Sequence, residues 1–278
     1  MKYRIAHSGI TWGYDATTAE AAVKDVAACG YNAYETIGGV IEAYEEQGSD
    51  FAALLAKYDI PLIGTYVGTG FRHDSSPSQD IKNAHRWIRR ASEMGATTVL
   101  IAAGSRKDGI CDTAAGWRHI ADAFAEIARI GLDHGMQSAV HPHTGTLLET
   151  RTDIDNFFDA ADTDLLPFAP DTGQIAKAGD DAVATLEDYK SIIAHVHLKD
   201  YGGGRETGYV GYEPIGSGVI DMPAIFAILE DIDYSGWVTV ELDGTPEAPR
   251  PPGEAARMSR DYLAGLLGDQ VTWSERGG

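Results

Sequence analysis

The densest group of reactive side chains in the sequence lies in one short apolar stretch, residues 193–200. This stretch carries His195, His197 and Lys199 at alternate positions, and alternate side chains of a β-strand point to the same side. Imidazoles bind metals and carry protons, and an ammonium group stabilises negative charge or donates a proton. The stretch by itself is equally compatible with one histidine bound to a backbone carbonyl and the other exposed. Residues elsewhere favour the functional interpretation.

Carboxylates and a second histidine pair lie at the ends of other apolar runs. Four of the nine histidines fall in two His-x-His pairs, whereas random placement would scatter them. Two imidazoles and two carboxylates from adjacent strands can surround one divalent ion. The ligands that we predict are His141, Asp171, His197 and Glu241. His143 is the alternative to His141, and Asp171 could instead cap a turn.

Mixed nitrogen and oxygen ligands suit Mn²⁺, Co²⁺, Fe²⁺ or Zn²⁺, and the ligand set does not choose between them. Further polar and aromatic side chains at strand ends are candidates for substrate contacts. These are His7, Trp12, Glu35, Tyr66 and His195. Trp12 and Tyr66 could equally pack in the core, and Glu35 could instead orient a ligand.

The elements that would position these residues follow a regular rhythm of helical stretch, glycine, short β-rich run and polar loop. In the first unit Thr17 or Thr18 can cap a helix that ends at Gly30, before a strand at residues 31–36. Including a strand at residues 3–7, eight strand–helix units occur. Alternating units require a parallel sheet, and eight in about 250 residues predict a single (β/α)₈ barrel. A doubly wound sheet is the alternative, but no GxGxxG follows the first strand.

We therefore predict one α/β barrel domain over residues 1–269 and a tail, residues 270–278, that is disordered or packs as an arm. Function collects at the carboxyl ends of the strands in such barrels, which is where the candidate ligands lie. Residues 201–217 contain too many glycines for a helix. We predict that they form a flexible, Gly-rich loop over the C-terminal mouth of the barrel, with glycines at Gly202, Gly203, Gly204, Gly208, Gly211 and Gly216.

Charge and cysteine content exclude several classes of protein. The 278 residues include 22 Lys and Arg against 42 Asp and Glu, a net charge of −20 that disfavours nucleic acid and anionic membranes as partners. Cys29 and Cys111 lack CxxC spacing, which fits a reducing compartment and excludes a thiolate zinc site. Without an apolar run of roughly 18 residues or a signal peptide, a cytoplasmic location is expected.

Four segments resemble the sugar phosphate isomerase/epimerase superfamily of xylose-isomerase-like barrels. They are FAPDTGQ at 168–174, HVHLKD at 195–200, GSGVID at 216–221 and GWVTVE at 236–241. Within that superfamily the chain most resembles the inosose dehydratase branch, whose His-x-His-x-Gly-Thr motif is similar to HPHTGT at 141–146. The resemblance covers most of the chain and is strongest after residue 137. The motifs are specific for the superfamily and less so for the branch.

The resemblance implies a divalent metal, with Mn²⁺ favoured, at Asp171, His197 and Glu241. It also implies a keto-sugar or keto-cyclitol substrate and a homodimer or homotetramer. Two positions depart from the pattern of relatives. His141 stands where epimerases of the superfamily carry a catalytic Glu, which disfavours a two-carboxylate epimerisation. Gln174, a further candidate substrate contact, stands where relatives commonly carry His.

The chemistry expected of such a site begins with removal of the proton next to a ketone. Glu241 or His143 would be the base, and Lys199 or His143 would protonate a hydroxyl that leaves as water. This predicts a lyase acting on an unphosphorylated substrate. The alternatives are a ketose isomerase or 3-epimerase working through an enediolate, and a non-catalytic sugar-binding barrel. A DNA-repair endonuclease shares the fold but would need a basic face.

Overall fold

A closed barrel of parallel strands surrounded by helices forms the body of the protein. The computed structural model describes residues 3–68, 78–106, 113–204, 210–243 and 250–275. One parallel sheet has the strand order β5-β4-β3-β2-β1-β9-β6. Its strands are β1 (Arg4–Ser8), β2 (Ala33–Ile37), β3 (Leu62–Gly68), β4 (Thr98–Ala102), β5 (Gln137–His141), β6 (Val196–Leu198) and β9 (Trp237–Val240).

Residues 167–171 close the barrel between β5 and β6. The amide of Ala169 donates to the Val140 carbonyl at 2.8 Å, and the amide of His197 donates to the Pro170 carbonyl at 2.9 Å. Pro167 and Pro170 have no N–H to donate, so this eighth stave is held by isolated bridges rather than a continuous ladder. The predicted barrel is thus confirmed, with one stave shorter and more irregular than expected.

The helices surround the sheet and follow the predicted strand–helix alternation. They are α1 (Ala19–Ala28), α2 (Gly38–Glu46), α3 (Phe51–Lys57), α4 (Ser78–Glu93), α5 (Ala114–Asp133), α6 (Arg151–Ala160), α7 (Thr172–Lys177), α8 (Ala182–Tyr189), α9 (Met222–Asp231) and α10 (Pro252–Leu267). Among the residues that the structure describes, each helix is too short or too polar to cross a lipid bilayer.

Three local features differ from the sequence prediction. The helices α2 and α7 were not predicted, because each begins directly after a strand end or its cap with no intervening loop. Thr18 occupies the predicted N-cap position of α1 but its side chain makes no capping hydrogen bond, and Asp15 instead accepts the Thr17 amide and caps a 3₁₀ turn that leads into α1. Short helical turns of this kind carry little periodicity of their own.

The described part of the Gly-rich segment is an anchored hairpin rather than a flexible loop. Strand β7 (Asp200–Tyr201) pairs antiparallel with β8 (Tyr212–Glu213). The buried Asp200 carboxylate accepts the amides of Gly216 and Gly218 at 2.9 Å and of Ile220 at 3.2 Å. Residues 205–209, which include the predicted Gly208, lie outside the described residues.

The described part of the tail packs against the start of the barrel. Val271 forms a parallel bridge with Tyr3, and the Ser274 amide donates to the Gly30 carbonyl at 2.7 Å. The Trp273 ring meets Tyr31 edge-on with centroids 5.5 Å apart. Of the two predicted alternatives, residues 271–275 therefore adopt the packing arm.

Candidate metal centre and active-site cavity

The four predicted metal ligands converge at the carboxyl ends of neighbouring staves. His141 Nε2 lies 3.8 Å from Asp171 Oδ2. His197 Nδ1 lies 4.0 Å from Asp171 Oδ2 and 3.6 Å from Glu241 Oε2. Parallel strands of a closed barrel end at one rim, which is why residues far apart in sequence meet here. All four side chains are buried.

Each of the four residues presents a buried polar atom that lacks a hydrogen-bond partner. These atoms are His141 Nδ1, Asp171 Oδ2, His197 Nδ1 and Glu241 Oε2. Asp171 Oδ2 faces Lys199 Nζ at 3.1 Å. Leaving each of the other three atoms unsatisfied costs about 1–3 kcal/mol, and three in one place require an explanation. Donors at about 2.0–2.2 Å from one ion lie roughly 3–4 Å apart, and His197 Nδ1 lies at such distances from Asp171 Oδ2 and Glu241 Oε2, as His141 Nε2 does from Asp171 Oδ2. The donor set therefore fits a divalent cation.

Glu241 sits at the margin of this donor group. Donor atoms of His141, Asp171 and His197 all lie within 4.8 Å of one another, and that group does not include Glu241. Glu241 approaches it through His197, while its other oxygen, Oε1, contacts Lys199 Nζ at 2.7 Å. His141, Asp171 and His197 form the compact part of the site. Glu241 lies beside them, with Oε2 facing His197 and not contacting Lys199.

The structure brings His141, rather than the alternative His143, into the donor group. His143 Nδ1 lies 2.8 Å from the Thr144 carbonyl, and its Nε2 lies 3.0 Å from Gln174 Nε2. Because the amide group of Gln174 can only donate from Nε2, the network assigns the Nδ1–H tautomer to His143. Burial, reinforced by His197 and His143, holds the pKa of His141 well below its usual range, so His141 is neutral and able to ligate.

Lys199 is a fully buried cation among three carboxylates. Its Nζ contacts Glu241 Oε1 at 2.7 Å, Asp243 Oδ2 at 3.0 Å and Asp171 Oδ2 at 3.1 Å. Burial alone would lower the pKa of Lys199, but the carboxylates raise that pKa well above its usual value. A Cβ on Gly173 would lie 2.6 Å from Lys199 Cγ, so the glycine of the DTGQ motif makes room for this side chain.

Glu35 and His195 lie below the ligands, inside the barrel. Glu35 Oε1 is 2.6 Å from His197 Nε2, and Glu35 Oε2 is 3.0 Å from His195 Nε2. These three residues also form a group of potential metal donors. Two donors bound at about 2.0–2.1 Å to one ion lie at least about 2.9 Å apart, so the 2.6 Å contact is a hydrogen bond.

A cavity of about 400 Å³ opens beside His141 and Glu241, two of the four predicted ligands. Its described lining carries no Lys or Arg and consists of Ile10, Tyr14, Ile37, Tyr66, Gly68, Ala102, Ala103, Gly104, Ser105, His141, His143, Thr146, Glu241 and Asp243. Tyr66, a predicted substrate contact, lies here with its ring 5.3 Å from that of His141. A larger groove of about 910 Å³ runs beside α7, α8 and residues 219–224 and contains none of the predicted site residues.

Two residues that sequence reasoning did not assign complete the wall of the site. Asp243 lines the cavity, and its Oδ2 accepts from Gln174 Nε2 at 3.1 Å. The Tyr212 hydroxyl donates to Gln174 Oε1 at 2.6 Å. Asp243 had a signal in the sequence, because it lies two positions after Glu241 at a strand end. Tyr212 had none, since the β7–β8 hairpin alone brings it to the site.

Gln174, which was predicted to contact substrate, uses its side-chain amide to hydrogen-bond neighbouring residues of the protein. Its Oε1 also accepts from the Thr144 hydroxyl at 2.7 Å, and its Nε2 faces both His143 and Asp243. Both ends of the amide are therefore used within the protein. Gln174 fixes the orientation of His143 and Asp243, which themselves line the cavity.

The predicted contacts His7 and Trp12 do not line the cavity. The His7 ring packs edge-on against Tyr31 at 4.7 Å and against Trp12 at 5.3 Å. Trp12 Nε1 donates to Asp25 on α1 at 3.0 Å. Burial lowers the pKa of His7 to about 4. Because the preceding residue, Ala6, points into the barrel, His7 points towards the helices.

Comparison with known proteins agrees with this architecture. Residues 23–265 match the model of a family described as xylose isomerase-like TIM barrel. An inosose dehydratase of Geobacillus kaustophilus strain HTA426 is 27% identical over 297 aligned positions, which cover 95% of each chain. The predicted resemblance is thereby confirmed, and the relative's name supports the prediction that this chain is an enzyme.

Solved structures with low sequence identity share the fold. The probable 3-DHS dehydratase AsbF of Bacillus anthracis superposes with a TM-score of 0.76 at 15% identity, over 95% of this chain and 99% of that one. The IOLI protein, solved with a bound zinc atom, also gives 0.76 at 15% identity, over 96% and 99% of the two chains.

Proposed function

Because this chain belongs to the xylose isomerase-like TIM barrel family, we propose that it is a divalent-metal-dependent lyase. The proposed reaction dehydrates an unphosphorylated keto-cyclitol or keto-sugar, as the name of its inosose dehydratase relative suggests. The observation that carries the proposal is the convergence of buried donor atoms of His141, Asp171 and His197 beside a cavity that His141 and Glu241 line. These three residues would hold the cation, and Glu241 stands next to them as the proposed base.

The cavity supports a neutral, oxygen-rich ring as the substrate. Carboxylates and imidazoles in the lining can bind hydroxyl groups, and Ile10, Ile37 and alanines add apolar surface. Lys and Arg are missing from its described lining, and a phosphorylated substrate would bring negative charge towards Asp243 and Glu241. A volume of about 400 Å³ lies in the range of small-molecule sites.

Proton abstraction is assigned to Glu241 in preference to His143. When bound, a divalent ion would act as a Lewis acid that acidifies the C–H next to the ketone. Burial alone would raise the pKa of Glu241, but Lys199 and His197 lower it below its usual value, so the carboxylate is ionised. The same contacts weaken it as a base, and the acidity of the metal-bound ketone would have to compensate. Both nitrogens of His143 are already engaged by Thr144 and Gln174.

The leaving hydroxyl requires a proton, and Asp243 is the group placed to deliver it. Lys199, which with His143 is one of the two donors expected from the sequence, is fully buried, but its ammonium contacts Asp243 Oδ2 at 3.0 Å and Asp243 lines the cavity. In the elimination the C–H bond breaks, its electron pair forms the new C=C bond, and the C–O bond breaks. The hydroxide leaves as water with a proton that Asp243 takes from Lys199, while Lys199 regains the proton that Glu241, 2.7 Å away, removed from the C–H, so the ammonium stays charged overall.

The test is incubation of the metal-loaded protein with 2-keto-inositol or a 3-keto-glucoside. We expect an enone- or diketone-type absorbance that disappears after exhaustive chelation and returns with Mn²⁺ or Co²⁺. Glu241→Gln should lower the rate by about 10²–10⁴-fold. Clean conversion to an epimer with no loss of water would replace the lyase by an isomerase or epimerase. Full activity without metal would refute the metal-dependent mechanism.

A further inference from the structure

We propose that Glu35 is a positioning residue for the metal ligand His197 and decides which nitrogen of that imidazole faces the cation. This inference rests on the proposed metal-dependent function. Glu35 lies on β2, and its Oε1 is 2.6 Å from His197 Nε2. On the other side of the ring, His197 Nδ1 faces Asp171 and Glu241.

The chemistry of the two partners fixes the position of the imidazole hydrogen. An ionised carboxylate is only an acceptor, so the nitrogen next to Glu35 must carry the N–H. A neutral imidazole has one N–H, so Nδ1 then keeps its lone pair for a metal. The opposite tautomer would place a hydrogen on Nδ1 and could not ligate there. Glu35 thereby selects the single tautomer and ring orientation that can bind the cation.

Glu35 is itself held in place by a polar layer beneath the ligands. Its Oε2 accepts from the Thr239 hydroxyl at 3.2 Å and contacts His195 Nε2 at 3.0 Å. A Cβ on Gly64 of β3 would lie 3.1 Å from Glu35 Oε2, so the glycine gives the carboxylate its space. These interactions come from three different strand segments and leave Glu35 one main orientation.

The depth of Glu35 separates this role from a substrate contact. Glu35, His195 and Thr239 are each at most 1% exposed, and none of them lines the cavity beside His141 and Glu241. Burying an ionised carboxylate this far inside a barrel costs free energy unless the carboxylate is paired and hydrogen-bonded. His197, which spans from this layer to the donor group, is the partner that links Glu35 to the cation.

The direct test compares Glu35→Gln with Thr239→Val as a matched control. Glutamine has one carbonyl oxygen and cannot accept from both sides, and removing the outer partner of a ligating histidine typically costs 10–100-fold in metal affinity. Thr239→Val removes a contact to Oε2 and leaves the Oε1–His197 hydrogen bond. Co²⁺ affinity is measured by competition with a chromophoric chelator, and the visible Co²⁺ spectrum and circular dichroism are recorded in parallel.

We expect Glu35→Gln to weaken Co²⁺ binding by about 10–100-fold and to change the spectrum, with Thr239→Val close to wild type. A folded Glu35→Gln protein with wild-type affinity and spectrum would overturn the inference. An equal loss in Thr239→Val would also overturn it, because the effect would then belong to the polar layer as a whole.

A second measurement needs no variant at residue 35. In ¹⁵N-histidine-labelled, Zn²⁺-loaded wild type, NMR distinguishes metal bound at Nδ1 from metal bound at Nε2, with His197→Gln supplying the assignment. Metal at Nδ1 and hydrogen at Nε2 is the expected pattern, and metal at Nε2 refutes the inference. A wild-type protein that binds neither Co²⁺ nor Zn²⁺ would refute the proposed function as well, whereas unchanged affinity in Glu35→Gln refutes this inference alone.

Discussion

Lys199 and Glu241 form a fully buried ion pair in which Nζ lies 2.7 Å from Oε1. The same ammonium lies within 3.1 Å of oxygens of Asp171 and Asp243. Three carboxylates at one end of a barrel repel each other strongly in a medium of low dielectric constant. The Lys199 ammonium neutralises part of this negative charge, and a divalent ion held by the adjacent donors would neutralise more of it.

Replacing Lys199 should therefore destabilise the metal-free protein more than the metal-loaded protein. We expect Lys199→Met to lower the free energy of unfolding by about 3–5 kcal/mol without metal, because buried carboxylates lose their partner. Added Mn²⁺ should restore part of that loss. Urea unfolding with and without Mn²⁺ measures both effects. Lys57→Met, which removes an exposed pair with Glu20, should leave stability nearly unchanged; equal losses in both variants would contradict the prediction.

A side chain at position 173 should be destabilising, because its Cβ would lie 2.6 Å from Lys199 Cγ. We expect Gly173→Ala to cost about 1–3 kcal/mol of stability by overpacking and to weaken metal binding by displacing the ammonium. Thermal unfolding and Co²⁺ titration measure the two effects. The control is Gly265→Ala in α10, where an added Cβ meets nothing within 4 Å and should stabilise by about 0.5–1 kcal/mol. A neutral Gly173→Ala would show that Lys199 can move aside at little cost.

Metal affinity should rise with pH because His197 must lose a proton before it can ligate. Burial lowers the pKa of His197, but Glu35, Glu241 and Asp171 outweigh it and raise that pKa to about 9 in the metal-free protein. Below pH 9 the ring is protonated, so apparent affinity should fall about tenfold for each pH unit. Calorimetric titrations with Co²⁺ at pH 6, 7 and 8, in buffers of different ionisation enthalpy, should show release of about one proton. Affinity independent of pH, with no proton released, would contradict this expectation.

Asp200 should be essential for the hairpin that brings Tyr212 to the site. Its carboxylate accepts the backbone amides of Gly216, Gly218 and Ile220. We expect Asp200→Asn to cost about 1.5–3 kcal/mol and to speed hydrogen exchange of these amides, as measured by NMR or mass spectrometry. Asp188→Asn, at an exposed pair with Arg151, is the control and should leave exchange unchanged. Unchanged protection in Asp200→Asn would assign the anchoring to other contacts.

The sequence by itself determined the barrel and which residues meet in the candidate donor group. Alternating strands and helices leave a parallel sheet as the arrangement, and a closed parallel barrel collects strand ends at one rim. His141, Asp171, His197 and Glu241 each end a strand or stave, so their approach followed from topology before any distance was known. The choice of His141 over His143 required the structure, because only the contacts of Gln174 show His143 to be engaged.

Only the tertiary structure decided how deep in the barrel the remaining residues lie and whether their side chains point inward or towards the helices. His7 lies near the end of β1, yet its ring points towards the helices because side chains alternate and Ala6 points inward, and Trp12 packs against it from the 3₁₀ turn that follows. Glu35 was expected at the end of a strand but is the middle residue of β2, which places it against His197 inside the barrel. Asp243 and Tyr212 reach Gln174 through the strand end and the hairpin. Strand register and stagger are set by closure of the whole barrel, and no local pattern in the sequence contains them.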